Sequence, residues 1–216
     1  MPKNMAIRKM LMTALCSLAV AFAVTQAGAA DDTFKRSGEL GKRTAKSSED
    51  VDKYITQLDK TEKALSAVSE AEDKDLKKQY ESFSEEIKKL ENAQKHATSG
   101  IDEMKSTGAE YFSSWETSID QITSPELKQA STERRAKVIK DHDELAVSLS
   151  AIGSQLQPFM SNLHDIKAFL GTDLSPANIA KAGEMIQKSQ ADAQALENKI
   201  ATVKMTLQQF LNEAPN

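Results

Sequence analysis

Cysteine, aromatic residues, glycine and proline are all scarce in this 216-residue chain. It contains 1 Cys, 8 Gly and 5 Pro, and Phe, Trp and Tyr together make up 5%. So few aromatic residues and turn formers argue against a β-sandwich or a barrel and suit long helices. The cysteine, Cys16, lies in an N-terminal segment that we expect to be removed. Its loss would exclude disulfides, thiolate catalysis and cysteine-based metal sites.

Only one long apolar run is present, from Met10 to Val24, and it is too short to span a bilayer, which takes about 20 residues. It follows a basic start and precedes Ala27-Gly28-Ala29, an arrangement typical of a signal peptide. We expect residues 1–30 to be cleaved on export to the periplasm of a Gram-negative-type bacterium. An uncleaved anchor is the alternative. A lipoprotein is not expected, because Leu15 rather than a small residue precedes Cys16.

An excess of basic charge is also missing. The chain has 28 Lys and Arg against 32 Asp and Glu, and the expected signal peptide holds three of the basic residues and none of the acidic ones. The processed chain would therefore carry a net charge near −7. Nucleic acid and anionic lipid would repel such a protein. We expect no nucleic-acid partner and no transmembrane segment after processing.

What the chain does have is a long apolar repeat. From Leu76 to Ile122, apolar residues recur at alternating spacings of four and three, interrupted at Gln94 and Ser118. A 3.5-residue repeat of this length is typical of a left-handed coiled-coil seam. A second run from Val138 to Leu170 follows Ser124-Pro125, where serine can cap a helix and proline fits its first turn.

The breaks in these patterns divide the chain into four predicted helices: 48–69, 74–122, 125–170 and 177–212. Residues 31–47 are polar, and we interpret them as a tether. The connections are short, so successive helices must be antiparallel neighbours. The predicted fold is all-α: an elongated antiparallel helical bundle built on a long coiled-coil hairpin, with residues 48–216 forming a single domain.

The first and last predicted helices are too short to cover both ends of the hairpin. We expect them to cover the end away from Ser124, which would leave a tip of only two helices. Apolar residues of that tip would then be exposed and form a docking surface with a basic rim. The candidate partner-binding residues are Phe112, Trp115, Lys128, Arg134 and Arg135.

No catalytic motif is present: we find no Gly-rich phosphate loop, no nucleophile elbow and no paired-histidine zinc helix. His142 lies on the apolar stripe beside Asp141 and Asp143. Consecutive helical residues point about 100° apart, so these side chains cannot converge on one ion, and we expect a buried seam histidine. His96 and His164 are predicted to lie at the surface. We assign no catalytic residue, cofactor or metal ligand, and we expect that the protein is not an enzyme.

The second half of the chain carries a set of spaced residues beginning at a tryptophan near the end of one helix. The set comprises Trp115, Ile119, Ile122, Leu127, Ser131, Pro158, Met160, Leu163, Asp165, Leu170, Leu174 and Ile179. On these residues, the chain from about 111 to 210 resembles a bacterial envelope coiled-coil family, domain of unknown function 2959. Two positions depart from that family's pattern: Lys128 replaces an arginine, and the turn 171–175 lacks a Lys-His pair. The resemblance implies a helical fold and an envelope location, and no activity.

These observations favour an exported, non-enzymatic coiled-coil scaffold or interaction protein with a protein partner in the cell envelope. Two alternatives remain open from the sequence. One is a holdase-like periplasmic chaperone that binds clients at the tip. The other is a metal-binding protein with its site in the bundle core.

Overall fold

The computed structural model describes the backbone of residues 3–213 and the side chains of residues 28–212. Of residues 1–30, which we predict to be a signal peptide, the side chains of 1–27 lie outside the described part. The chain forms four helices: α1 (Lys3–Glu70), α2 (Leu76–Asp120), α3 (Pro125–Thr172) and α4 (Pro176–Glu213). The described part contains no strand. The all-α prediction is confirmed, and α3, with 48 residues, is about 70 Å long.

The four helices pack as an antiparallel bundle in which each helix contacts two others. The contacting pairs are α1 with α2, α2 with α3, α3 with α4, and α4 with α1. α4 therefore lies between α3 and α1 and closes the bundle. The predicted hairpin is the α2–α3 pair.

The predicted apolar stripes form the core. Every member of the stripe from Val138 to Leu170 is buried, including His142. The stripe of α4 is also buried, from Ile179 to Phe210. These residues fall on one face of each helix because they recur at helical spacing, and burying them supplies the main stabilising free energy.

Local sequence sets the turn between α2 and α3. The Ser124 backbone is extended, and its Oγ accepts a hydrogen bond of 3.4 Å from the Leu127 amide. Pro125 occupies the start of α3, where a backbone N–H would have no hydrogen-bond partner within the helix, so its absence costs nothing. Helix α3 then runs without a break through Pro158.

Residues 31–47 are helical and packed, which corrects their interpretation as a tether. Leu40, Thr44 and Ser47 are buried. The hydroxyl of Thr44 donates to the Leu40 carbonyl oxygen at 2.9 Å, so its burial leaves no donor unpaired. A Cβ added at Gly100 of α2 would lie 3.5 Å from the Ser47 Cα, so small residues let the two backbones approach closely. In this part of α1, small hydroxyl side chains thus occupy buried positions that large apolar residues occupy in the other helices.

Candidate partner-binding site

The end of the bundle around Ser124 contains three helices. We call this end the three-helix tip: residues 28–41 of α1, 108–120 of α2 and 125–138 of α3. The expected two-helix tip is wrong, because α1 begins well before residue 48 and runs alongside α2 as far as the turn. α4 ends near His142, whose ring lies 5.9 Å from that of Phe210, and does not extend along the tip.

Polar contacts join α1 to α2 at the tip. The Thr33 hydroxyl lies 2.8 Å from the hydroxyls of both Ser114 and Ser118. The Arg36 guanidinium binds the Glu110 carboxylate, also at 2.8 Å. These contacts hold α1 on α2 as far as Thr33.

α2 and α3 are joined by side chains that the sequence had assigned to partner binding. Trp115 donates from its indole nitrogen to the Ser131 hydroxyl at 3.2 Å. Arg135 donates to the Phe112 carbonyl oxygen at 3.0 Å and pairs with Glu116 at 2.9 Å. The ion pair between Lys128 and Asp120, at 3.0 Å, spans the turn. All three predicted rim cations thus take part in interactions within the protein.

Phe112 is not on the surface. It is 7% exposed, and its ring meets the ring of His142 edge-on at a centroid distance of 5.3 Å. The prediction that Phe112 would be exposed is therefore corrected. His142, 4% exposed, packs in turn against Phe210 at the end of α4, so Phe112 belongs to the core at the level where α4 ends.

A groove opens between α1 and α3, on the side of the tip that α4 would occupy if it were longer. Its volume is about 290 Å³. Its floor and walls include Phe34, Ser37, Trp115, Ile119, Ile122 and Ser131. Trp115 is half-buried there, and we refer to this feature as the tip groove.

Two large apolar side chains at the tip are exposed. Phe34, on the α1 wall of the groove, is 67% exposed, and Leu127, on α3, is 64% exposed. Phe34 was missed because its segment had been interpreted as a tether. The buried spacing of Leu40, Thr44, Ser47 and Val51 is the sequence pattern that could have placed it on a helix.

The electrostatics of the groove centre on Tyr111. Burial raises the pKa of Tyr111 to about 12, although a hydrogen bond with Ser37 and the charge of Arg134 act in the opposite direction. The phenol therefore stays neutral at physiological pH.

A second cavity, of about 480 Å³, lies on the outer surface of the α1–α2 pair. Its charged residues are Asp32, Arg36 and Glu110. A hydrogen bond from Arg36, with one from Ser114, lowers the pKa of Asp32. These charges satisfy one another, and no large apolar side chain lines the cavity, so it offers less to an apolar partner than the tip groove does.

Between residues 28 and 212, no three His, Cys, Asp or Glu side chains come together to hold a metal ion. The core-metal alternative therefore has no site in that part of the chain. His142 Nδ1 lies 3.4 Å from an Asp143 carboxylate oxygen. The side chain of His164 is at the surface, 2.9 Å from Glu91.

Across the side chains that the structure describes, no helix combines the length and the apolar character needed to cross a membrane.

Comparison with curated proteins found no match, and comparison with solved structures found none either. A family model does match: the one described as Protein of unknown function (DUF2959), over residues 31–214. This range confirms the resemblance seen between residues 111 and 210 and extends it to the tip residues of α1. The chain therefore belongs to the DUF2959 family.

Proposed function

We propose that this protein is a non-enzymatic interaction protein of the bacterial cell envelope, exported to the periplasm after loss of residues 1–30. Its partner-binding site is the tip groove. The observation that carries this proposal is the combination of exposed Phe34 and Leu127 with half-buried Trp115 at one end of an otherwise well-packed bundle.

The physical argument is that neighbouring exposed apolar side chains lose contact with water when a partner covers them. Aromatic residues in a partly formed pocket are the usual centres of binding free energy in protein interfaces. Phe34 and Trp115 line the same groove, and Ser37 and Ser131 supply hydroxyls beside them. A partner can therefore gain apolar contact and hydrogen bonds at one place.

The proposal of export is supported by where the family match begins. It starts at residue 31, directly after the predicted cleavage site at Ala27-Gly28-Ala29. Cleavage there would leave Thr33 and Phe34 in the processed chain. The groove would then keep nearly all of its α1 wall.

A holdase-like chaperone is less well supported than a protein with a defined partner. Holdases bind diverse clients over broad apolar surfaces, whereas one groove of about 290 Å³ suits one shape. The other exposed large apolar residues of the described chain are Val147, Phe169, Met185 and Met205. They lie away from the tip, so they do not widen this surface.

Site-specific photocrosslinking in living cells tests the proposal. A photoreactive phenylalanine analogue placed at Phe34 is expected to give a discrete adduct with an envelope protein. The same analogue at Val147, which is equally exposed but lies outside the tip, is the matched control and should give none.

Changing Ile122 to Asp within the groove should abolish the Phe34 adduct, because the groove would then bury a charge. A Phe34 adduct that survives Ile122→Asp, or equal adducts from both positions, would contradict a partner site at the tip. Suppression of aggregation of unrelated denatured proteins would favour the chaperone instead.

A further inference from the structure

The tip groove continues the space that α4 fills along the rest of the bundle. This follows from helical phase, because residues separated by whole heptads hold the same position relative to the neighbouring helices. On α1, Phe34 precedes Glu62 by four heptads, and the carboxylate of Glu62 interacts with that of Glu197 on α4. Phe34 therefore faces the line along which α4 runs.

The same test on α3 gives the same answer. Leu127 precedes Asp141 by two heptads, and Asp141 lines a pocket together with Thr206 and Phe210 of α4. Leu127 itself is 64% exposed. One position of the repeat thus lies beside α4 where the bundle has four helices and at the surface where it has three.

The length of the uncovered space can be read from both walls. On α3 the last turn of α4 lies beside Asp141 and Glu144, which leaves residues 125–138 without a fourth helix. On α1 the ion pair between Lys204 and Asp52 places the end of α4 near residue 42, which leaves residues 31–41 of the processed chain. The α3 wall is thus about 21 Å long and the α1 wall roughly 16 Å, or three to four helical turns.

We propose that the occupant of the tip groove is an amphipathic α-helix of a partner protein, about four turns long, which takes the place of α4 and completes the four-helix bundle. This inference rests on the proposed function and names the class of partner. The partner helix presents apolar residues at spacings of three and four to Phe34, Trp115 and Leu127.

Two observations favour a helix over other occupants. The groove continues the space in which α4 packs between α1 and α3. The distance between its walls therefore suits a helix. In addition, Gly38 and Gly41 follow Phe34 on the same face of α1, and a Cβ added to either would meet nothing within 4 Å. That face has room for the close approach of another backbone.

A second copy of this chain is a poorer occupant. The described surface outside the tip bears its exposed large apolar residues singly, at Val147, Phe169, Met185 and Met205. No two of them are three or four positions apart on one helix. A copy would thus have no apolar helix face to insert.

The first experiment fills the groove in the same chain. Residues 214–216 are replaced by a designed amphipathic helix of about four turns that continues the α4 stripe beyond Leu207 and Phe210. We expect Tm to rise by roughly 5 to 10 °C and the emission of Trp115, the one tryptophan of the chain, to shift to the blue. An extension of equal length with serine at the apolar positions is the control and should change neither.

The second experiment combines this extension with the photocrosslinker at Phe34 in cells. We expect the apolar extension to remove the adduct and the serine control to keep it. Mass spectrometry of the adduct should place the crosslink in an amphipathic helical segment of another protein. An adduct with a second copy, or with lipid, would overturn the inference.

The outcomes separate this inference from the proposed function. If the apolar extension leaves Tm and the Trp115 emission unchanged, or if the adduct persists with the groove filled, no helix binds there, although a partner still does. If no adduct forms at Phe34 at all, the tip is not a partner site and both ideas fail.

Discussion

His142 lies directly against Gly108, and no side chain larger than a hydrogen atom fits between the two. A Cβ added at Gly108 would be 2.4 Å from Nε2 of His142 and 2.8 Å from Cε1. The ring cannot easily swing away, because Phe112 and Phe210 pack against it. Nε2 is also buried without a hydrogen-bond partner. The close approach of α2 and α3 at this level thus depends on a glycine.

The first prediction concerns that glycine. Gly108→Ala should lower the free energy of unfolding by about 1–2 kcal/mol, because overpacking outweighs the gain in helix propensity. Gly153→Ala is the matched control, since its added Cβ meets nothing within 4 Å, and it should raise stability by about 0.5–1 kcal/mol. Urea unfolding measures both.

A double-mutant cycle isolates the cause of the Gly108 effect. In a His142→Ala background, the ring is gone and Gly108→Ala should become stabilising. If Gly108→Ala is equally harmful in both backgrounds, contact with the histidine ring is not the reason for the glycine.

The second prediction contrasts two phenylalanines. Phe112→Ala should cost about 3–5 kcal/mol, because the side chain is buried against His142. The cost should be similar to that of Leu149→Ala in the same core, about 2–5 kcal/mol. Phe34→Ala should change stability by less than about 0.5 kcal/mol, since Phe34 is largely in solvent. Comparable losses for Phe34→Ala and Phe112→Ala would mean that the tip groove is filled in the isolated protein.

The third prediction concerns pH. Burial, with the nearby charges of Glu197 on α4 and Asp59 on α1, raises the pKa of Glu62 to about 7. In the unfolded chain this carboxyl ionises near pH 4.5. Between these two values the folded state holds a proton that the unfolded state has lost. Stability should therefore fall as pH rises from about 4.5 to about 7 and stay level above that.

Removing the carboxylate tests this directly. Glu62→Gln should stabilise the protein at pH 8 by an amount on the order of 1 kcal/mol, allowing for solvent around the half-buried side chain, and have little effect at pH 4. Glu49→Gln, at an exposed position on the same helix, serves as the control. An equal effect of Glu62→Gln at both pH values would show that its ionisation does not matter for stability.

The fourth prediction concerns processing. The mature protein should begin at Ala30 or Asp31 and be recovered in the periplasmic fraction. Intact mass spectrometry of that material gives the answer. A species that keeps Cys16 with an added diacylglyceryl group would reveal a lipoprotein, and a full-length species in the membrane fraction would reveal an uncleaved anchor.

The fifth prediction concerns shape. With α3 about 70 Å long, small-angle scattering should give a maximum dimension of at least roughly that length. A compact domain with the length of the processed chain would have a radius of gyration of roughly 16 Å, and the measured value should clearly exceed it. A radius of gyration equal to that of a compact domain would contradict an extended bundle.

The sequence predicted α2, α3 and α4 well, because large apolar residues mark their inner faces. The predicted and observed starts of α3 coincide at Pro125, where Ser124 and the proline together define a helix start. The prediction from sequence failed for the first half of α1, because the buried residues Thr44 and Ser47 are polar. The Thr44 hydroxyl bonds to its own helix and is therefore cheap to bury, whereas Ser47 Oγ is buried without a hydrogen-bond partner. A pattern based on hydrophobicity registers neither residue.

The error in α1 carried over to the tip. With a helix starting only near residue 48, two helices seemed to stand alone around Ser124, and Phe112 seemed exposed. Trp115 was correctly placed at the tip, but Phe34 could not be considered. Whether a side chain lies in a groove depends on which neighbouring helices extend as far as that side chain. The apolar pattern of one segment does not reveal how far the other helices extend.

The short connections between the helices bear on how quickly the chain finds its fold. Only residues 71–75, 121–124 and 173–175 separate successive helices, so three of the four contacting pairs form between sequence neighbours. Closing such short loops costs little chain entropy, and proteins rich in local contacts fold fast. The α1–α4 contact is the exception, because it joins the two ends of the chain. We expect it to form last and open first, and hydrogen exchange that is faster for amides at this contact than at the α2–α3 contact would bear this out.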